Sequence, residues 1–291
     1  MRKRKLGGAV YVLPNLFTTG NLFFGFFSII KALQGQFGWA ASAIFIAAIF
    51  DVLDGRVARL TKGTSEFGVQ YDSLCDLVSF GCAPAFMMFQ FSLHQYNRLG
   101  WIICFIFMAC GALRLARFNV QSSIGKASGD FIGLPIPMAA IVIASFVLYM
   151  VHLDANEDLE SLSVMAREIF LEPTYRGYFL LAAAPMLSFS MVSNVVYRSH
   201  KSIKITGFSP FKMLAVGVLL VSLVAYKPEL SLFMICLLYF LSGPFEYLIG
   251  RKKLIEDDEI FSLSDDQSIE DGDDEEASET NVSHIKKSEK K

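Results

Sequence analysis

Four aspartates stand where an apolar chain should carry none. Asp51 and Asp54 lie three residues apart, and Asp72 and Asp76 four apart, within runs otherwise rich in Ala, Ile, Leu and Phe. Spacings of three and four put each pair on one face of a helix. A helical hairpin turning through residues 61–67 can bring the two faces together. Four carboxylates gathered at a membrane boundary repel one another and lose hydration. Two divalent cations remove that conflict, and hard oxygen ligands select Mg²⁺ or Mn²⁺ over a soft metal. Gly55, Ala58 and Gly68 strip side-chain bulk from the same surface, so a ligand can approach the backbone. Arg59 follows at the interface, where a guanidinium can meet a pyrophosphate oxygen. These types and spacings point to metal-assisted handling of a phosphate.

The elements that must hold these residues are membrane helices. A chain of 291 residues with 53% hydrophobic residues, 27 Phe and a mean hydropathy of +0.45 is too apolar for a soluble globular protein. Apolar runs long enough to cross a hydrocarbon core fall at roughly 16–33, 37–60, 68–91, 99–118, 133–153, 177–197, 210–226 and 229–249. The expected fold is an all-α integral membrane bundle of about eight transmembrane helices.

Charge placement orients it. Residues 256–291 carry fourteen Asp and Glu against four Lys, while 22 basic and 14 acidic residues precede them. The basic residues sit at alternate ends of the runs: Arg2 to Lys5, then Arg56, Arg59 and Lys62, then Arg114 and Arg117, then Arg198 to Lys212, then Arg251 to Lys253. The positive-inside rule then makes both termini cytoplasmic and puts the aspartates at the cytoplasmic face. Residues 1–255 read as one transmembrane domain. Residues 256–291 read as an acidic tail too poor in apolar residues to fold. Between Asp154 and Arg176, Leu159, Leu162, Met165, Ala166 and Ile169 recur at helical spacing, compatible with a surface helix or with a solvated loop. A cleaved signal peptide is a poorer reading of the first run, which contains Pro14 and Asn15 and lacks a cleavage pattern. The five cysteines form no C-x-x-C pair, so neither a zinc site nor a disulfide framework is expected. Pro84, Pro185 and Pro244 read as helix kinks, and Glu246 as a partner for a base such as Arg251.

Written out, the site is Asp51-x-x-Asp54-Gly55-x-x-Ala58-Arg59, eight residues, then Gly68-x-x-x-Asp72-x-x-x-Asp76. This string resembles the signature of the CDP-alcohol phosphatidyltransferase family at all eight defined positions. Pro14 to Thr18 with Asn21 and Gly25, Gly111 to Asn119, Phe131 to Pro137 and Met191 to Asn194 are similar to the branch of that family whose acceptor is L-serine. The resemblance covers roughly residues 10–250. It implies CDP-diacylglycerol as donor, two metal ions held by Asp51, Asp54, Asp72 and Asp76, and Asp76 as general base. It also implies nucleotide contacts at Gly55, Arg59 and Ser65, with Ala58 and Gly68 beside them and Asn15 and Thr18 in the same pocket. Membrane lipids and a second copy of the chain are the implied partners, and nothing suggests a nucleic acid.

For the acceptor, a serine carboxylate benefits from a guanidinium. Arg114 and Arg117 lie three apart at one end of the fourth run, with Asn119 beyond and Lys126 and Asp130 in the next loop. The alternative is that both arginines are anchors snorkelling to lipid phosphates. Glycerol 3-phosphate, inositol phosphate and choline remain alternative acceptors. A cation-coupled transporter is the alternative of another class, but such sites usually lie near the bilayer midplane.

Overall fold

Small residues decide how the first two helices meet. Helix α1 (Ala9–Leu33) runs into a tight turn where Gly35 adopts φ +72° and the amides of Gln34, Gly35 and Gln36 bond to the carbonyls of Ile30, Ala32 and Lys31. A left-handed glycine closes the helix because no Cβ opposes that conformation. Helix α2 (Phe37–Thr61) returns against α1 with Ala40, Ala41, Ala43, Ala47 and Ala48 buried. Helices in lipid gain nothing from leaving water, so close contact through small residues and interhelical hydrogen bonds holds them. Ser28 Oγ supplies one such bond, donating to the Ala40 carbonyl at 2.8 Å.

The computed structural model describes residues 9–61, 65–123, 131–155, 173–197 and 227–248, with Val218, Ser222 and Ala225. Beyond α2, Ser65 caps helix α3 (Glu66–Asp76) by accepting the Gly68 N–H at 3.0 Å. The same span then widens into a π-helical turn (Leu77–Cys82) before α4 (Ala83–Phe91). Pro84 explains the widening: it cannot donate to the carbonyl four residues back, and its ring would collide there. A 3₁₀ turn (Leu93–Tyr96) leads into α5 (Asn97–Ser123). Helices α6 (Ile136–Ala155), α7 (Pro173–Val192) and α8 (Pro228–Leu248) follow among the described residues. Phe146 of α6 stacks on Phe179 of α7 with centroids 4.1 Å apart, and both rings meet Phe233 of α8. Arg176 makes a bidentate ion pair with Asp154, joining the ends of α6 and α7.

The expectation of a multi-pass all-α membrane bundle holds. Among the described residues, six helices are long and apolar enough to cross a membrane: Val12–Leu33, Phe37–Thr61, Glu66–Phe91, Leu93–Ser123, Ile136–Ala155 and Pro228–Phe245. Helix α7, of 20 residues, is a seventh long helix. Its extent differs from the expected run 177–197. The helix ends at Val192, and Val196–Tyr197 (β2) pairs antiparallel with Phe131–Ile132 (β1). Gly133 makes this possible, with φ +75° and its N–H donating to the Val195 carbonyl at 2.9 Å. The expected run 210–226 lies outside the described residues apart from three positions. So do Leu159, Leu162, Met165, Ala166 and Ile169, the Glu246 side chain and Arg251, and residues 256–291. All five cysteines are free thiols.

Candidate active site

Three helices converge on the aspartates. The last turns of α2 deliver Asp51, Asp54, Gly55, Ala58 and Arg59; α3 delivers Gly68, Asp72 and Asp76, with Ser65 at its cap. Helix α1 delivers Asn15, Thr18 and Asn21, spaced by three so that they rise along one face. Asp51, Asp72 and Asp76 each offer a carboxylate oxygen, and these oxygens all lie within 4.8 Å of one another. Asp54 stands outside that triad, with the Thr18 side chain and the Gly55 N–H beside its carboxylate.

The donor set fits a hard divalent cation. Asp54 and Asp76 are nearly fully buried, and Asp54 Oδ2 and Asp72 Oδ1 are buried with no hydrogen-bond partner. Among the described residues no lysine or arginine forms an ion pair with any of the four. Buried carboxylates without basic partners are stable only with another source of positive charge.

Against this cluster lies a cleft of about 210 Å³ lined by Asn15, Thr18, Gly55, Ala58, Arg59, Ser65 and Gly68, together with Asp54 and Asp72. Every residue expected from sequence to surround the donor thus shares one cavity wall with two of the aspartates. At Gly55 an added Cβ would meet nothing nearer than the Arg59 guanidinium at 3.9 Å, so the backbone there faces open space.

Asp76 is oriented from α1. Asn21 Nδ2 donates to its Oδ1 at 2.9 Å, and Asn21 is 0% exposed. The Asn21 backbone is held in turn by Ser79, whose hydroxyl donates to the Asn21 carbonyl at 2.9 Å. Helix α1 can come this near only because residue 25 is glycine: a Cβ there would fall 2.2 Å from Ser79 Oγ. The π-helical turn that begins just after Asp76 therefore packs directly on α1. In the sequence Asn21 stands out only as part of the Pro14–Gly25 motif, an uncharged amide inside an apolar run.

The four residues considered for the acceptor have different surroundings. Arg114 is buried at 8% exposure, its Nε has no partner, and Asp76 and Tyr239 of α8 lie within electrostatic range. Arg117 instead donates to the Val192 carbonyl at 3.0 Å and to Asn194 Oδ1 at 2.6 Å, fastening the end of α7. Asn119 bonds Ser73 Oγ at 3.0 Å and Gln70 Oε1 at 3.4 Å, tying α5 to α3. Lys126, and Asp130 near it, lie outside the described residues.

With this geometry in view, the comparisons converge. A family model described as CDP-alcohol phosphatidyltransferase matches residues 11–173. A CDP-diacylglycerol–serine O-phosphatidyltransferase of Helicobacter pylori is 35% identical over 246 residues, covering 84% of this chain and 95% of that one. An archaetidylserine synthase of Methanothermobacter thermautotrophicus is 39% identical over 138 residues, 47% of this chain and 58% of its own. A CDP-diacylglycerol–serine O-phosphatidyltransferase of Methanocaldococcus jannaschii is 46% identical over 105 residues, 36% of this chain and 48% of its own. The buried aspartate cluster, the cleft beside it and the extent of these matches lead to one statement: the chain belongs to the CDP-alcohol phosphatidyltransferase family and is a membrane-embedded enzyme of its CDP-diacylglycerol-dependent group.

Proposed function

We propose that this enzyme transfers the phosphatidyl group of CDP-diacylglycerol to the hydroxyl of L-serine, giving phosphatidylserine and CMP. One observation carries the reading. Among the described residues the buried side-chain atoms with no hydrogen-bond partner are Asn21 Oδ1, Asp54 Oδ2, Asp72 Oδ1 and Arg114 Nε, and all four residues surround the aspartate cluster. A folded chain rarely leaves buried polar atoms unpaired, and does so where a ligand completes them. Three of the relatives carry serine in their names.

Asp51, Asp54, Asp72 and Asp76 would hold two Mg²⁺ or Mn²⁺ ions, which when bound supply charge neutralisation and alignment of the pyrophosphate. Asp76 accepts the proton of the serine hydroxyl, steadied by the Asn21 amide. The hydroxyl oxygen then bonds to the phosphorus that carries diacylglycerol, and the bond from that phosphorus to CMP breaks. Arg59 holds a pyrophosphate oxygen, and Gly55, Ala58 and Gly68 let the nucleotide approach the cleft wall. Arg114 pairs with the serine carboxylate. Arg117, bonded to α7, keeps the neighbouring backbone in place.

The basic residues near α2 and α5 support a site on the cytoplasmic side. Residues 1–255 form the catalytic unit in this reading, residues 256–291 are accessory, and the protein works as a homodimer. The test is product analysis with purified protein in mixed micelles. CDP-diacylglycerol and L-serine should yield phosphatidylserine and CMP in equal amounts, and none in excess EDTA. CMP without phosphatidylserine, or full turnover under chelation, would overturn the reading.

A further inference from the structure

The Asn21 amide has two ends, and the bond to Asp76 uses only one. A carboxylate can only accept, so the NH₂ group must face Asp76 and the carbonyl oxygen must face away. That oxygen is buried, in a residue that is 0% exposed, and no hydrogen-bond donor reaches it. It lies one helical turn deeper along α1 than Thr18, which lines the cleft, and one turn short of Gly25, which abuts Ser79. An uncompensated buried carbonyl oxygen is costly, more so than the bond it would make is favourable.

On the other flank Arg114 of α5 is the complementary orphan, a buried cation with an unpartnered Nε. Both α1 and α5 pack on the π-helical turn after Asp76. Asp76 is thus hydrogen-bonded to Asn21 of α1 and within electrostatic range of Arg114 of α5, and each of these two residues carries an unpaired buried atom. A zwitterion with its hydroxyl at Asp76 satisfies both, its carboxylate on Arg114 and its ammonium on the amide oxygen. The four acidic side chains nearby also favour a cationic donor over a neutral one.

We infer that Asn21 Oδ1 receives the ammonium group of the amino-acid acceptor, so that Asn21 selects for an α-amine while Arg114 selects for the carboxylate. The inference rests on the serine reading above and adds a residue that sets specificity within it. Asn21 also positions Asp76, so its loss slows every acceptor. Selection is separated from positioning by the ratio of kcat/KM for two acceptors on the same variant.

The probe is L-glycerate, in which a hydroxyl replaces the ammonium of L-serine; ethanolamine, which lacks the carboxylate, is the control. Wild-type enzyme should prefer L-serine to L-glycerate by about 100-fold or more. Asn21→Ala and Asn21→Leu should compress that preference to under about 10-fold, while leaving serine over ethanolamine within about 3-fold of its wild-type ratio. Arg114→Ala should do the reverse. The inference is overturned if wild-type enzyme uses L-glycerate as well as L-serine, a result that needs no variant to fold. It is also overturned if both Asn21 variants slow the two acceptors equally, which would leave Asn21 a positioning residue alone. Failure of wild-type enzyme to use L-serine at all would instead sink the serine reading itself.

Discussion

Arg114 and Arg117 lie on consecutive turns of α5, with the same chemistry and opposite surroundings. Arg117 bonds the Val192 carbonyl and Asn194, and nearby Gly133 and Leu134 bond the carbonyls of Val195 and Ser190. Around Arg114 lie Asp76 and Tyr239, and no hydrogen bond completes its Nε. The Arg117 region is a clasp held by hydrogen bonds to α7 and the residues after it; around Arg114 a buried polar atom is left without a partner. Residue type and sequence position cannot separate a structural cation from one that awaits a ligand. Burial together with missing partners can.

The largest effect that would sharpen this contrast is at Asp76. Asp76→Asn keeps shape and the Asn21 neighbour but removes the carboxylate proposed as base, so turnover should fall about 10²–10⁴-fold with insertion and detergent stability preserved. A variant retaining a tenth of the wild-type rate would remove Asp76 from that role. Next comes the arginine pair. Arg114→Ala should raise KM for L-serine about 10- to 100-fold while KM for CDP-diacylglycerol changes less than about 3-fold, because one charge-assisted contact is lost. Arg117→Ala should leave both KM values within about 3-fold and cost about 1–2 kcal/mol of stability in detergent, since its bonds are partly exposed. Exchanged phenotypes would break the comparison outright.

A smaller effect is expected where α1 crosses the π-helical turn. Gly25→Ala puts a Cβ 2.2 Å from Ser79 Oγ, so α1 must shift and the Asn21–Asp76 bond with it. Activity should drop more than stability, and because the Ser79 Cα also lies 2.6 Å from that Cβ, Ser79→Gly in the same chain should restore little of it; wild-type activity in Gly25→Ala would contradict the close approach. The smallest effect belongs to residues 256–291, whose removal should leave serine turnover within about 2-fold, given a composition unable to build a pocket. A normally inserted truncation that loses nearly all activity would give this segment a part in the site.

The aspartates were legible because a membrane helix makes carboxylates conspicuous and a three- or four-residue spacing fixes their face. The cleft residues were legible for the same local reason: Gly55, Ala58 and Arg59 follow Asp54 within two turns, and Ser65 and Gly68 precede Asp72. What stayed hidden depends on long-range pairing. The Asn21 bond spans 55 residues and the Arg117 bond to Asn194 spans 77, and no periodicity reports either. The early end of α7 was hidden likewise, because the ribbon with Phe131–Ile132 needs Gly133 and Val195 to meet across the bundle. That Asp54 stands apart from the triad of Asp51, Asp72 and Asp76 is also a matter of three-dimensional register rather than spacing.

The central claim, that this site moves a phosphatidyl group to serine, is tested most directly by acceptor competition. Purified wild-type enzyme receives CDP-diacylglycerol with equimolar L-serine, glycerol 3-phosphate, ethanolamine and choline, and the lipid products are resolved by mass. Phosphatidylserine should make up nearly all of the product, because a buried guanidinium left unpaired disfavours acceptors that lack the carboxylate. Phosphatidylglycerol phosphate as the main product would contradict the serine assignment while leaving the aspartate chemistry in place.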